Sequence, residues 1–138
     1  TPEEAAVIMR VIQEFQAYTE AHLMQIVGQI FGYGTQVSRD QLTDDMHVAA
    51  REARTIEQRL AKSDWIVGES CSAADLVIFP HIALLLRTLA QPTARELSSR
   101  FLPVEANYPA LGRWMARVEA LPGYARTYPP HWRNSPVT

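Results

Sequence analysis

One cysteine, six glycines and no apolar run long enough to cross a bilayer mark this 138-residue chain. With Cys71 alone, an internal disulfide and a multi-cysteine zinc site are both excluded. A reducing cytoplasm is the expected setting. No basic, then apolar, then small-residue leader opens the sequence, so no secretion signal is predicted. A membrane span needs about 20 apolar residues. The longest stretch here, Leu76 to Leu89, is shorter and is interrupted by Pro80, His81, Arg87 and Thr88. The net charge of −2 gives nucleic acid no electrostatic hold. Charge is nevertheless uneven. Up to Asp75 there are 12 acids and 6 bases, a balance of −6; beyond it there are 3 acids and 7 bases, a balance of +4. Two solvated faces of opposite bias account for that. The four histidines, His22, His47, His81 and His131, include no pair at the i, i+4 spacing of helical metal ligands, so no metal is predicted. Gly28, Gly32 and Gly34 lack the preceding strand and the Gly-Lys-Ser/Thr ending of a phosphate loop. Alternating strand patterns and internal repeats are missing as well.

What remains is helical. Thr1-Pro2-Glu3-Glu4 is a capping box with proline at the first helical position. The helix it opens is predicted to run from Pro2 to about Phe31. Ile8, Ile12, Phe15, His22, Ile26 and Ile30 form its stripe, widened by Val11, Tyr18 and Met24. Gly32-Tyr33-Gly34-Thr35 breaks it. Ser38-Arg39-Asp40-Gln41 is a second box, with Val37 and Leu42 in staple positions. Leu42, Met46, Ala49, Ala53, Ile56 and Leu60 follow at gaps of four and three, a narrow seam for lengthwise helix packing. The two helices read as a long antiparallel hairpin. Leu76 to Leu89 reads as a helix apolar all round, which belongs at the centre of a bundle, with Pro80 costing it one internal bond. Thr93-Ala94-Arg95-Glu96 predicts a short fourth helix, Pro103 to Asn107 a linker, and Pro109 to Leu121 a fifth helix. The tail Tyr128-Pro129-Pro130-His131-Trp132 is stiff and aromatic and is expected to lie against the surface. The fold class is therefore all-α, a bundle of about five helices in one domain spanning residues 1–138.

Asp75 stands out because it precedes the most apolar stretch of the chain. Ser72-Ala73-Ala74-Asp75 is another capping box, and it opens the one helix expected to be buried. The first four N–H groups of a helix lack internal partners. An unpaired one in a core costs about 1–3 kcal/mol. Ser72 as N-cap and the carboxylate of Asp75 can satisfy two of them, and the negative charge suits the helix N-terminus. Asp75 is read as structural, with Cys71 and Leu76 as the staple around it.

Trp65-Ile66-Val67-Gly68-Glu69, Ser72-Ala73-Ala74-Asp75 and Pro80 together resemble the centre of the C-terminal helical domain of cytosolic glutathione transferases. Tyr108-Pro109-Ala110-Leu111-Gly112-Arg113-Trp114, with Val118 and Leu121-Pro122-Gly123, resembles a later helix of that family. The order and spacing of the helices agree along nearly the whole chain. Cys71 departs from the larger apolar or hydroxyl residue usual there. The resemblance implies a thioredoxin-like α/β domain ahead of this one, which binds glutathione and carries the Tyr, Ser or Cys that activates its thiol. No such segment is in the sequence. The resemblance thus implies an electrophile-binding and dimerisation domain, with no catalytic residue of its own and with glutathione as co-substrate of the parent enzyme. A homodimer or a thioredoxin-like domain is the implied partner, and a hydrophobic small molecule the implied ligand. The alternative is a stand-alone interaction module, as similar domains are in translation factors and tRNA synthetases.

Tyr18 and Tyr33, on and just after the first helix, and His81 on the apolar helix are the candidate substrate contacts. Ordinary packing explains each equally well. Cys71 is the sole candidate thiol nucleophile. Its place beside a helix N-terminus can lower a thiol pKa, but as a staple residue it is expected to be buried and inert. Arg10 and Glu14 read as a surface ion pair.

Overall fold

The computed structural model describes residues 1–133. Its first helix starts as the proline-led box predicts: the Thr1 hydroxyl accepts the Glu4 N–H at 3.1 Å and the Glu4 side chain turns back to the Thr1 nitrogen. The rod predicted from Pro2 to Phe31 is continuous but not uniform. α1 (Pro2–Phe15) passes through a π turn, Gln16–Glu20, into α2 (Ala21–Phe31). A π turn holds one residue more than an α turn. The buried stripe therefore runs Val11, Ile12, Phe15, then Thr19, Leu23, Ile26 and Val27. Tyr18 and Met24, expected to widen that stripe, face outward instead. Gly32 ends α2 in the left-handed region at φ 75°, and the Tyr33 N–H returns to the Gly28 carbonyl at 2.9 Å.

α3 (Arg39–Leu60) is capped by the Ser38 hydroxyl, which accepts the Gln41 N–H at 3.1 Å. The reciprocal half of the expected box is not made, because the Gln41 amide donates to Asp45 at 3.0 Å. Met46, Ala49, Ala53, Ile56 and Leu60 are buried as the seam predicts, with small alanines letting the helices close in. α3 packs on α2, while α1 leans onto α4 (Ala73–Leu89).

α4 sits at the centre, touching α1, α2 and α7 (Pro109–Glu119). It is not buried all round, contrary to the expectation from its composition. Leu76 is 57% exposed and Pro80 is exposed too. Pro80 leaves the Leu76 carbonyl without its helical donor. On this outward face water can replace it, so the helix continues through the proline.

Two expectations for the region after α4 fail. The Thr93 box is not formed: Pro92–Ala94 is a 3₁₀ turn, and α5 (Arg95–Ser98) has no side-chain cap. Pro92 sits at the start of this turn, which draws Ala94 into the core and places Thr93 inside the turn instead of before a helix. Pro103 to Asn107 is not a linker, since Val104–Asn107 forms a one-turn helix, α6, against α7. α7 has no local cap. Its free Ala110 and Leu111 N–H groups donate to the Glu57 carboxylate of α3 at 3.0 and 2.7 Å. After α8 (Tyr124–Thr127) the tail lies on the bundle as predicted, with the Arg87 guanidinium 4.8 Å over the Trp132 ring.

No single described helix is long and apolar enough to cross a membrane. Trp114, Phe15, Phe101, Ile26, Ile78 and Leu111 are among the fully buried side chains of the core.

Candidate functional site

Asp75 is fully buried and does more than close its own box. Oδ2 accepts the Ser72 N–H at 2.9 Å and the Ser72 hydroxyl at 3.1 Å. Oδ1 accepts the Ile66 N–H at 3.0 Å and the Trp114 Nε1–H at 2.8 Å. One carboxylate therefore joins the start of α4, the Trp65–Val67 loop and α7. The Ser72 hydroxyl in turn accepts the Ala74 N–H at 3.2 Å. The local half of this arrangement was readable from the box; the two distant donors were not. Four donors on one carboxylate leave it no capacity for substrate chemistry.

Cys71 is half-buried, and its thiol pKa is raised, first by burial and then by the Asp75 charge. Burial first, and the carboxylate second, thus oppose any help from the helix N-terminus and disfavour the thiolate, which is the nucleophilic form. Among the described residues no group of three or more His, Cys, Asp or Glu side chains is placed to hold a metal ion.

The outward face of α4 borders an apolar cavity of about 340 Å³. Leu76, Phe79 and Pro80 form one wall; Tyr124, Tyr128 and Trp132 form the other. The second wall is a chain of ring contacts, Tyr124 tilted against Tyr128 at 6.2 Å and Tyr128 edge on to Trp132 at 5.8 Å between centroids. Phe79 meets Tyr124 edge on at 5.7 Å. An adjoining, more open cleft shares Tyr124, Tyr128 and Trp132 and adds Glu105 and Glu119. Burial pushes the Glu119 carboxyl above its usual range. The Tyr124 hydroxyl is also raised, by burial first and then by the Glu119 and Tyr128 charges. Such walls suit an uncharged, hydrophobic ligand. The aromatic ladder at 124, 128 and 132 could have been read from its spacing. Its pairing with the exposed side of α4 could not.

The three candidate contacts stand apart from this cavity and from one another. Tyr18, 69% exposed, lines a second cleft of about 320 Å³ between α1 and α3, floored by Val11, Phe15 and Ile56. Neither Tyr33 nor His81 lines that cleft. Tyr33, 53% exposed, stacks on Phe31 at 6.3 Å between centroids beyond the end of α2. His81 is half-buried with both ring nitrogens engaged: Nδ1 lies 2.9 Å from the Val77 carbonyl and Nε2 3.3 Å from Glu20. Its ring meets Phe15 edge on at 5.3 Å.

Comparison with known proteins follows the same line. The model of the family described as glutathione S-transferase, C-terminal domain, matches residues 18–122. Among solved structures, a poplar glutathione transferase F1 carrying a serine-to-cysteine mutation superposes with a TM-score of 0.65 at 15% sequence identity. The superposition covers 88% of this chain and 52% of that one, so this chain spans about half the length of the poplar enzyme. No curated protein sequence matches. At that identity the structural likeness speaks for the fold alone. The family match spans most of the chain, including the Ser72–Asp75 box, the α4 core and the Tyr108–Trp114 helix: the chain belongs to the glutathione S-transferase C-terminal domain family.

Proposed function

We propose that this domain supplies the electrophile-binding side of a glutathione transferase and contributes to its dimer contact, acting with a thioredoxin-like domain that holds glutathione. The observation that carries this reading is the apolar cavity against the exposed side of α4, in a chain half as long as a complete enzyme of similar fold. A buried central helix with an uncovered apolar side calls for a partner or a ligand on that side. Of the candidate contacts, Tyr18 and Tyr33 present open ring faces on which an aromatic electrophile can stack. His81, with both nitrogens engaged, contributes a ring edge only. Glutathione is the co-substrate, bound by the thioredoxin-like domain, and a homodimer is the expected assembly, since a closed two-fold pair is the commonest oligomer.

The test is conjugation of glutathione to a chlorinated nitrobenzene. The chain alone is expected to match the uncatalysed rate. The chain fused to or mixed with a glutathione-binding thioredoxin-like domain is expected to exceed it, with KM for the nitrobenzene raised by Trp132→Ala, which removes part of the cavity wall. No gain over the thioredoxin-like domain alone would favour the stand-alone interaction module.

A further inference from the structure

We propose that His22 is a covalent acceptor for small alkylating electrophiles, with Asp45 as its positioning residue. Asp45 is 1% exposed, on the inward side of α3. Its Oδ1 lies 2.7 Å from His22 Nδ1 and also accepts from the Gln41 amide at 3.0 Å. Its Oδ2 is buried without a partner. Because a carboxylate only accepts, the neutral ring carries its proton on Nδ1, and the lone pair is then on Nε2, which has no hydrogen-bond partner among the described residues. The His22 side chain is 38% exposed, so the ring is open to small reagents on its outer side. An imidazole oriented by a third group through its other nitrogen is the arrangement that activates histidines in nucleophilic sites.

The other three histidines lack this combination. His81 has both nitrogens engaged. His47 is exposed and has no orienting carboxylate among the described residues. His131 meets the Trp132 ring edge on and has no orienting carboxylate among the described residues. The reaction balances without a further reactant. The Nε2 lone pair forms a bond to the electrophilic carbon, and the carbon–halogen bond breaks with its electron pair leaving as halide. The ring becomes an alkyl imidazolium that keeps its Nδ1 proton. That positive charge lies against the Asp45 carboxylate, whose buried Oδ2 has no hydrogen-bond partner among the described residues.

The experiment exposes the whole chain, as Cys71→Ser, to bromoacetamide at neutral pH and follows each histidine by peptide mass. His22 is expected to be alkylated at least about tenfold faster than His47 and His131, with His81 slowest, and Asp45→Asn is expected to remove that lead. Should Asp45→Asn not fold, the nitrogen chemical shifts of the His22 ring in the otherwise natural chain decide the matter, the proposal requiring the Nδ1–H form. Equal alkylation of His22 and His47, or an Nε2–H form at His22, would overturn it.

Discussion

At the scale of single residues, Asp75 and Glu57 carry more than their neighbours because each satisfies backbone donors that the chain cannot satisfy locally. Removing Asp75 strands the Ile66 N–H and the Trp114 Nε1–H in the core. Asp75→Ala is expected to cost about 4 kcal/mol or more, the range reached when a buried charged network loses its centre. Ser72→Ala removes only the cap and is expected to cost about 1–2 kcal/mol. Thr93→Ala, at a box that does not form, is expected to stay within about 0.5 kcal/mol. Denaturant midpoints of the three variants check the ranking, and equal midpoints for Asp75→Ala and Thr93→Ala would contradict it. Gly28 is similarly constrained: a Cβ there would stand 2.7 Å from the Tyr33 carbonyl oxygen, which is backbone and cannot swing away. Gly28→Ala is expected to lower the thermal midpoint despite the better helix propensity of alanine. Cys71 illustrates the electrostatic side. Its raised thiol pKa predicts slow reaction with a disulfide reagent at pH 8 in the folded chain, and a several-fold faster one once denaturant removes burial and the Asp75 charge.

At the scale of elements, the π turn explains why the first rod can bury Phe15 and Leu23 on one side although they are eight residues apart. One residue in Gln16–Glu20 is extra, and without it the apolar positions fall into regular α spacing. Deleting Ala17 is therefore expected to leave the fold intact, with a stability change within about 1 kcal/mol, as the turn relaxes to an α turn. Deleting Met9 should be far worse, because each residue lost from a regular helix rotates everything before it by about 100°. Circular dichroism with a denaturant midpoint separates the two. α7 presents the complementary case. Its N-terminus is capped by a side chain more than fifty positions earlier, so Glu57→Ala is expected to cost about 1–3 kcal/mol although Glu57 belongs to the last turn of another helix, α3.

At the scale of the whole molecule, the uncovered apolar surface is the main consequence. Val7, Met9, Phe31 and Leu76 are exposed in addition to Tyr18 and Tyr33. Scattered apolar residues are ordinary, but Leu76 continues into the cavity walled by Phe79 and Tyr128. The chain is expected to bind an apolar dye there, and Trp132→Ala, which removes part of one wall and a ring under the Arg87 guanidinium, should weaken that binding. Sedimentation at micromolar concentration is expected to show a dimer. A monomer that binds no dye would mean the face needs no partner.

Much of this was determined by the sequence alone, and the reason is that caps, breakers and apolar spacing act within one or two turns. Thr1–Glu4, Ser72–Asp75, the Gly32 stop, the Ala49–Ala53–Ile56 seam and the Pro109 start are local facts, and each is found where its neighbours imply. Failures came where another contact or the packing displaced the expected local one. Gln41 turned from its own cap to Asp45, Ala94 was drawn into the core ahead of Thr93, and the extra residue of the π turn moved Tyr18 and Met24 outward. The joining of Asp75 to Trp114, of Glu57 to α7, of His22 to Asp45 and of α4 to the aromatic tail spans from 23 to more than 50 positions. Nothing in a window of one helix encodes such meetings. Only tertiary packing brings those groups together: α1, α2, α7 and the tail around α4 make the apolar cavity, and α2 and α7 against α3 make the oriented histidine and the Glu57 cap.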